Sequence, residues 1–250
     1  MTVVGGFGRL IAGWLTLMIA SLGVTGFPHP TFASEQLDLQ LVLAVDASGS
    51  VDEREYRLQL DGIAQAFRDP AVIEAIGDGP RGRIAVSLLV WAESRRPKAR
   101  TPWRIIAGEA DAHGFADLTR GFGRPVGGGT GIGKAMFTAV RMLESSGLSS
   151  IRRVIDVSGD GRETTFREWS VPPDQARHAA IDRGITINGL AITAEDKELA
   201  HYYETQVIAG PGAFVMTATS IEDFARVMRA KLLREIRGDL IVGWLQPPAR

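Results

Sequence analysis

Apolar stretches of strand length alternate with amphipathic stretches of helix length along this chain. The stretch LDLQLVLAVDAS (37–48) is typical of a buried strand, and its neighbour 51–69 has apolar residues at helical spacing. The other predicted strands are 83–92, 101–108, 151–161, 185–192 and a short one near 213–216. The other predicted helices are 111–120, 131–146, 172–183, 195–206 and 220–237. Such alternation predicts an α/β fold with a mainly parallel sheet and helices on both faces.

One pair of predicted strands departs from the parallel arrangement. A short polar turn joins 83–92 to 101–108, so these two strands are expected to form a hairpin, with 101–108 antiparallel at an edge of the sheet. No internal repeat or change in composition divides the chain. We therefore expect one α/β domain over residues 38–237, followed by a tail, 238–250.

The composition favours a folded protein and excludes several kinds of site. Of the 250 residues, 45% are hydrophobic and 23% are charged, which is typical of a globular chain. The formal net charge of −1 provides no general attraction to nucleic acid, so no nucleic-acid partner is expected. There is no cysteine, which excludes disulfides, thiolate zinc sites and a cysteine nucleophile.

The N-terminal residues have the layout of a secretory signal peptide. Arg9 precedes an apolar run, 10–24, that is too short for a comfortable membrane span. Thr31 and Ala33 are small residues placed for cleavage after Ala33. We expect residues 1–33 to be a signal peptide and the protein to be exported, either periplasmic or extracellular. The alternative is an uncleaved anchor, the one case in which a membrane association is expected.

A glycine-rich stretch, GGTGIGKA (128–135), resembles a phosphate-binding loop. The pattern G-x-x-x-x-G-K-[ST] ends in a hydroxyl that binds Mg²⁺, but Ala135 stands there. The preceding residues contain Pro125 and do not form a strand pattern, which that loop requires. We interpret the glycines instead as a loop that allows close approach and presents the hydroxyl of Thr130.

Polar residues follow two of the predicted strands at their carboxyl ends. In DASGS (46–50), Asp46, Ser48 and Ser50 alternate, so a tight turn can direct their three oxygens at one point. In SGDG (158–161), Asp160 lies in a turn between two glycines. Ligands of open parallel sheets bind beyond the carboxyl ends of the strands. A carboxylate with hydroxyls is a hard-oxygen set suited to Mg²⁺ or Mn²⁺.

Together these motifs resemble the von Willebrand factor A domain family. The metal-ion-dependent adhesion site of that family has the pattern D-x-S-x-S, a separate threonine and a separate aspartate. The matching residues here are Asp46, Ser48, Ser50, Thr130 and Asp160. The last motif of the family usually reads T-D-G, whereas this chain has S-G-D-G. Asp156 is the alternative fifth residue, but it lies within the apolar strand, so we choose Asp160.

The resemblance implies a Rossmann-like A domain whose function is metal-dependent protein binding. In this mode a Mg²⁺ or Mn²⁺ ion at the five residues coordinates an acidic residue of a partner protein. The implied protein is a binding module and not an enzyme, sometimes with a shift of the last helix upon binding. Exported bacterial A-domain proteins without an assigned function are similar.

A metal-assisted hydrolase acting on a phosphate ester is the alternative function. A bound Mg²⁺ can polarise a phosphoryl oxygen, and Glu163, shortly after Asp160, is the candidate general base. A serine hydrolase is not indicated, because the chain has no G-x-S-x-G elbow.

Residues near the predicted metal loops are candidate contacts with a partner. Arg95 and Arg96 belong to a basic turn after the strand 83–92, and they would attract an acidic partner if that strand is parallel to 37–48. The alternative explanation is that these basic residues belong to the solvated turn of a hairpin and protect the edge of the sheet, with no role in binding. Glu163 and Phe166 follow Asp160 and are expected to border the same site.

Overall fold

The computed structural model describes residues 36–124, 127–166, 168 and 170–238. Its strands are β1 (Leu37–Asp46), β2 (Ile84–Trp91), β3 (Ala99–Arg100), β4 (Arg104–Ile106), β5 (Ser150–Gly159), β6 (Thr186–Ile192) and β7 (Val215–Ala218). They form one sheet in the order β3-β2-β1-β5-β6-β7, with β4 also paired to β2. The predicted signal peptide, 1–33, and nearly all of the predicted tail, 238–250, lie outside the described residues.

The pairing directions confirm the predicted fold class. β1 is parallel to both β2 and β5, and β6 is parallel to β5 and β7. Both β3 and β4 are antiparallel to β2. The predicted strand 101–108 is shorter than expected, because β4 ends at Ile106 and β3 lies before it. The result is a mainly parallel sheet with one antiparallel edge.

The helices lie between the strands, as the alternation predicts. They are α1 (Glu53–Arg68), α2 (Pro70–Gly77), α3 (Glu109–Arg120), α4 (Ile132–Glu144), α5 (Pro173–Ile181), α6 (Leu199–Tyr202) and α7 (Phe224–Arg237). A π-helix (Tyr203–Val207) continues α6, and a 3-10 helix (Ile221–Asp223) precedes α7. No helix among the described residues is long and apolar enough to cross a membrane.

The helix α2 was not predicted from the sequence. Asp69 and Pro70 separate it from α1: the Asp69 carboxylate accepts a hydrogen bond from Ala71 N at 3.0 Å, and Pro70 occupies the start of the new helix. An aspartate cap followed by proline is a common way to begin a helix. The chain therefore turns after α1 and continues helical through Gly77.

The central strand β1 is buried on both faces. Leu39, Leu41 and Leu43 face one hydrophobic cluster, which includes residues of α1, α2, α3 and α7. Val42 and Ala44 face the other, which includes residues of α4, α5 and α6. Burial on both faces explains the near-continuous apolar sequence of β1.

The strand order places a ligand site at the end of β1. From β1 the chain passes to β2 on one side and later to β5 on the other, so the order reverses at the centre of the sheet. Asp46 pairs with Trp91, so the turn after β2 leaves from the same rim as the loop after β1. A crevice at this reversal is the usual ligand position in such folds.

A buried group of charged side chains joins α7 to the sheet. Lys231 Nζ lies 2.8 Å from Asp156 Oδ2 and 2.6 Å from Glu235 Oε1, and all three side chains are almost fully inaccessible. Asn188 Nδ2 also donates to Glu235 Oε1 at 2.8 Å. Burial raises the pKa of Asp156 to about 7, against the lowering effect of Lys231. One lysine thus faces two carboxylates inside the protein.

We expect Asp156→Asn to change how stability depends on pH. The folded-state pKa of Asp156 is above the unfolded value of about 4, so its contribution is full below about pH 4 and is lost as pH rises through about 7. Wild type should therefore lose stability relative to the variant between pH 5 and 8. Urea denaturation at several pH values measures this.

The matched control for this experiment is Asp182→Asn, which alters an exposed aspartate. Its difference from wild type should stay constant across the same pH range. A constant difference for Asp156→Asn as well would contradict the raised pKa.

Candidate metal centre

The loop after β1 directs three oxygens toward the rim of the sheet. The Asp46 carboxylate accepts a hydrogen bond through Oδ1 from Ser48 N at 2.7 Å, which closes a tight turn. The hydroxyls of Ser48 and Ser50 lie 3.2 Å apart. Asp46 and Ser48 are fully buried, whereas Ser50 is exposed. The loop therefore presents a carboxylate and two hydroxyls in sequence from the interior to the surface.

Asp46 is fully buried, and one of its carboxylate oxygens, Oδ2, has no hydrogen-bond partner among the described residues. Burial raises the pKa of Asp46 to about 7, and the nearby charge of Asp160 raises it further. A buried, incompletely bonded carboxylate is unfavourable unless a cation or a proton compensates it.

Asp160 comes to the same rim from β5. Ser50 Oγ donates a hydrogen bond to Asp160 Oδ1 at 2.7 Å, which joins the two acidic motifs directly. Burial raises the pKa of Asp160, and Glu55 and Glu195 add to this effect. Asp156, the alternative considered from the sequence, instead pairs with Lys231 inside the protein.

The glycine-rich loop before α4 brings Thr130 to this group. Gly128, with a φ of 98°, accepts through its carbonyl a hydrogen bond from Gly49 N at 2.7 Å. Thr130 N donates to Thr164 Oγ1 at 2.8 Å, and Thr164 N donates to Thr130 O at 2.9 Å. The loop is thus attached both to the turn after β1 and to the segment after Asp160.

Gly159 and Gly161 allow the turn that carries Asp160 to lie against Asp46 on one side and Thr130 on the other. A Cβ atom at Gly159 would lie 2.8 Å from Asp46 Oδ2, which is too close. A Cβ atom at Gly161 would lie 3.4 Å from Thr130 Oγ1. The turn that carries Asp160 therefore lies between the Asp46 carboxylate and the Thr130 hydroxyl. The glycines that flank Asp160 in the sequence make this approach possible.

These oxygens fit a hard divalent cation. The group combines two carboxylates with three hydroxyls, and one buried carboxylate oxygen lacks a partner. Oxygen ligands of this kind suit Mg²⁺ or Mn²⁺. Within the described ranges, no group of three or more His, Cys, Asp or Glu side chains is placed to hold a metal ion. Any ion here would therefore depend on the hydroxyls as well.

Glu163 supports the loops instead of facing solvent freely. Its Oε2 accepts a hydrogen bond from Gly133 N in the first turn of α4 at 2.9 Å, and its Oε1 accepts from Thr165 N at 2.9 Å. Both carboxylate oxygens are thus occupied by backbone amides. Glu163 caps the helix that follows the Thr130 loop, where a negative charge is favourable.

The three other predicted partner contacts are exposed near this rim. Arg95 and Arg96 lie 3.4 and 3.8 Å from carboxylate oxygens of Glu93. A Cβ atom at Gly128 would lie 2.8 Å from Glu93 Oε2, so the basic turn adjoins the glycine-rich loop. Phe166 is 65% exposed, more than the other exposed large hydrophobic side chains of the described residues.

The sequence analysis did not identify Arg124 as part of this region. Its Nη2 atom donates a hydrogen bond to Ser48 O at 2.9 Å and also contacts the carbonyls of Ala47 and Val51. The guanidinium thereby fixes the backbone of the loop after β1. An arginine one residue before Pro125 in a glycine-rich segment gives no sequence signal for this role.

Tyr203 was also not identified from the sequence. It is fully buried, and its hydroxyl has no hydrogen-bond partner among the described residues. Burial, followed by the charges of Asp46 and Asp160, raises the pKa of Tyr203 well above its ordinary value. Its hydroxyl therefore lies beneath the acidic group and keeps its proton.

A family model matches residues 36–240, which includes every described strand and helix. The chain belongs to the DUF1194 family. That family is described as "protein of unknown function". No curated protein sequence matches this DUF1194 chain.

Solved structures with a similar fold include a pilus adhesin and a matrix protein of the mussel byssus. The pilus adhesin SpaC from Lactobacillus rhamnosus GG has a TM-score of 0.58 at 14% identity, covering 83% of this chain and 32% of SpaC. Proximal thread matrix protein 1 from the mussel byssus has a TM-score of 0.57 at 14% identity, covering 79% of this chain and 47% of that protein.

A further structure of the mussel protein is described as having a zinc-occupied MIDAS motif, that is, a metal-ion-dependent adhesion site. Its TM-score is 0.55 at 12% identity, with 80% of this chain and 48% of that protein covered. The DUF1194 chain spans less than half the length of these structures. At such low identity, the similarity shows a shared fold.

We expect Glu163→Ala to destabilise this DUF1194 protein, because two backbone amides lose their acceptor. The free energy of unfolding should fall by about 1–2 kcal/mol, as for other lost helix caps. Glu163→Gln keeps one acceptor oxygen and should cost less. Urea denaturation measures both.

The control is Glu74→Ala, which removes an exposed glutamate of α2 and should change stability by less than about 0.5 kcal/mol. Equal stability of Glu163→Ala and Glu74→Ala would show that the Glu163 carboxylate does not support the loops.

Proposed function

We propose that this protein is a metal-dependent protein-binding module of the von Willebrand factor A type. The observation that carries the proposal is the hydrogen bond of 2.7 Å between Ser50 Oγ and Asp160 Oδ1, formed beside the buried Asp46 carboxylate. It brings together residues that are 110 positions apart in the sequence. Asp46, Ser48, Ser50, Thr130 and Asp160 would hold the ion, with Mg²⁺ or Mn²⁺ as the preferred species.

The charges of these residues favour an acidic group on the partner. Two aspartates nearly neutralise a divalent ion, so one more anion can approach at modest desolvation cost. The hydroxyl ligands are neutral and leave the ion able to attract a further oxygen. A partner glutamate or aspartate would complete the coordination shell and add a charge-assisted contact at the centre of the interface.

The surroundings of the rim agree with a protein partner. Arg95 and Arg96 provide positive charge beside the glycine-rich loop, and rim charges of this kind mainly increase the rate of association. Phe166 offers an exposed aromatic surface for an apolar contact. These three side chains are the proposed contacts around the ion.

The comparisons support the proposal by analogy. SpaC is a pilus adhesin, and the mussel protein is a matrix protein recorded with zinc at a MIDAS motif. A pilus adhesin and a byssal matrix protein are extracellular proteins, which supports export of this one. Export of this protein through the segment 1–33, to the periplasm or the extracellular space, is part of the same proposal.

The structure weakens the hydrolase alternative. Glu163 was the candidate general base, but both of its carboxylate oxygens accept hydrogen bonds from backbone amides. A general base must lie within hydrogen-bond reach of the proton that it removes, and two backbone amides already orient this carboxylate toward the protein. The engaged carboxylate thus favours a binding role over catalysis.

We expect capture of a partner from an envelope extract to require both the ion and Asp46. The immobilised protein should retain a partner in Mg²⁺ and release it with a chelator, and Asp46→Ala should not retain it. Mass spectrometry of the eluates measures this. Asp182→Ala, which alters an exposed aspartate far along the chain, should behave as wild type.

A partner retained equally with Mg²⁺, with chelator and by Asp46→Ala would contradict the proposed mechanism. Release of phosphate from a generic phosphate ester that disappears in Asp46→Ala would instead support the hydrolase.

A further inference from the structure

Two buried polar atoms without partners lie beside Gly159, at the end of β5. A Cβ atom placed on Gly159 would lie 2.8 Å from Tyr203 Oη and equally 2.8 Å from Asp46 Oδ2. Neither oxygen has a hydrogen-bond partner among the described residues. The Tyr203 hydroxyl can donate a hydrogen bond and Asp46 Oδ2 can accept one. Both atoms lie at the same distance from the Cβ position of Gly159.

Buried polar groups are nearly always hydrogen-bonded, either directly or through an ordered water. The phenol hydroxyl of Tyr203 needs an acceptor, and Asp46 Oδ2 is an acceptor that no other described group uses. The other oxygen of Asp46 already accepts from Ser48 N. A contact from Tyr203 would therefore fix the second side of the carboxylate.

Two glycines leave room for the side chain of Tyr203, because neither of them carries a Cβ atom. A Cβ atom at Gly159 would lie against the hydroxyl, and one at Gly189 in β6 would lie 2.7 Å from the ring atom Cδ1. Tyr203 also begins the π-helix, an uncommon element that frequently marks functional sites. Two glycines and an irregular helical turn thus bring one phenol beneath the candidate metal centre.

We propose that Tyr203 is a positioning residue of the metal centre, whose hydroxyl donates a hydrogen bond to Asp46 Oδ2 through one water. This inference rests on the proposed function. Tyr203 holds the carboxylate in the orientation in which it faces the ion and does not itself contact the ion. Supporting residues of this kind typically change metal affinity by 10-fold to 100-fold when they are altered.

The test is a Mn²⁺ titration of the full chain, in which electron paramagnetic resonance measures the free ion. Tyr203→Phe removes one oxygen and keeps the ring, so the fold should be retained. We expect its Mn²⁺ affinity to fall roughly 10-fold below that of wild type. Its thermal midpoint without metal should fall modestly, since the buried Asp46 carboxylate loses one hydrogen-bond donor.

Tyr56→Phe is the matched control. Tyr56 is also fully buried, but its hydroxyl donates to Gly123 O at 3.1 Å. We expect this variant to lower the thermal midpoint and to keep the wild-type Mn²⁺ affinity. Both variants lose a buried hydroxyl, so a lower Mn²⁺ affinity in Tyr203→Phe alone distinguishes a specific effect on the metal centre from a general effect on stability.

The outcomes separate this inference from the proposed function. Unchanged Mn²⁺ affinity in Tyr203→Phe, with wild type binding and Asp46→Ala not binding, would overturn the role of Tyr203 alone. Equal affinity of wild type and Asp46→Ala would overturn the metal centre, and the role of Tyr203 with it.

Discussion

The carboxylate of Asp46 lies fully buried at the end of the central strand, with one oxygen that no described residue bonds. This unfavourable arrangement lies where the strand order reverses and the ends of β1, β2 and β5 meet. Ser48, Ser50, Asp160 and the loop of Thr130 surround it. We propose a divalent ion to account for both the buried charge and the hydroxyls around it.

The architecture could be predicted because its pattern is local. Each strand of the parallel region is an apolar run, and each long helix has an apolar stripe, so the alternation is visible in the sequence. The errors have local causes as well. Asp69 and Pro70 start a separate helix, α2, that the pattern did not reveal. The predicted helix 195–206 begins only at Leu199 and continues as a π-helix from Tyr203.

The candidate site could be predicted only in part. Asp46, Ser48, Ser50, Thr130 and Asp160 stand out because they follow strands or glycines, and the structure brings their loops to one rim. The roles of Glu163, Arg124 and Tyr203 depend on contacts between distant segments. Glu163 caps a helix that begins 31 positions before it in the chain, and Tyr203 lies beside Gly159, which is 44 positions before it. Neither the spacing of residues in the sequence nor its composition indicates such roles.

Anomalous diffraction from crystals soaked in Mn²⁺ would test the central claim most directly, because it locates the ion without assuming its ligands. We expect one strong anomalous peak surrounded by the side-chain oxygens of Asp46, Ser48, Ser50 and Thr130, with Asp160 in or just outside that shell. The same crystals of Asp46→Ala should lack that peak. A peak at another position in wild type, or an unchanged peak in the variant, would show that these residues do not hold the ion.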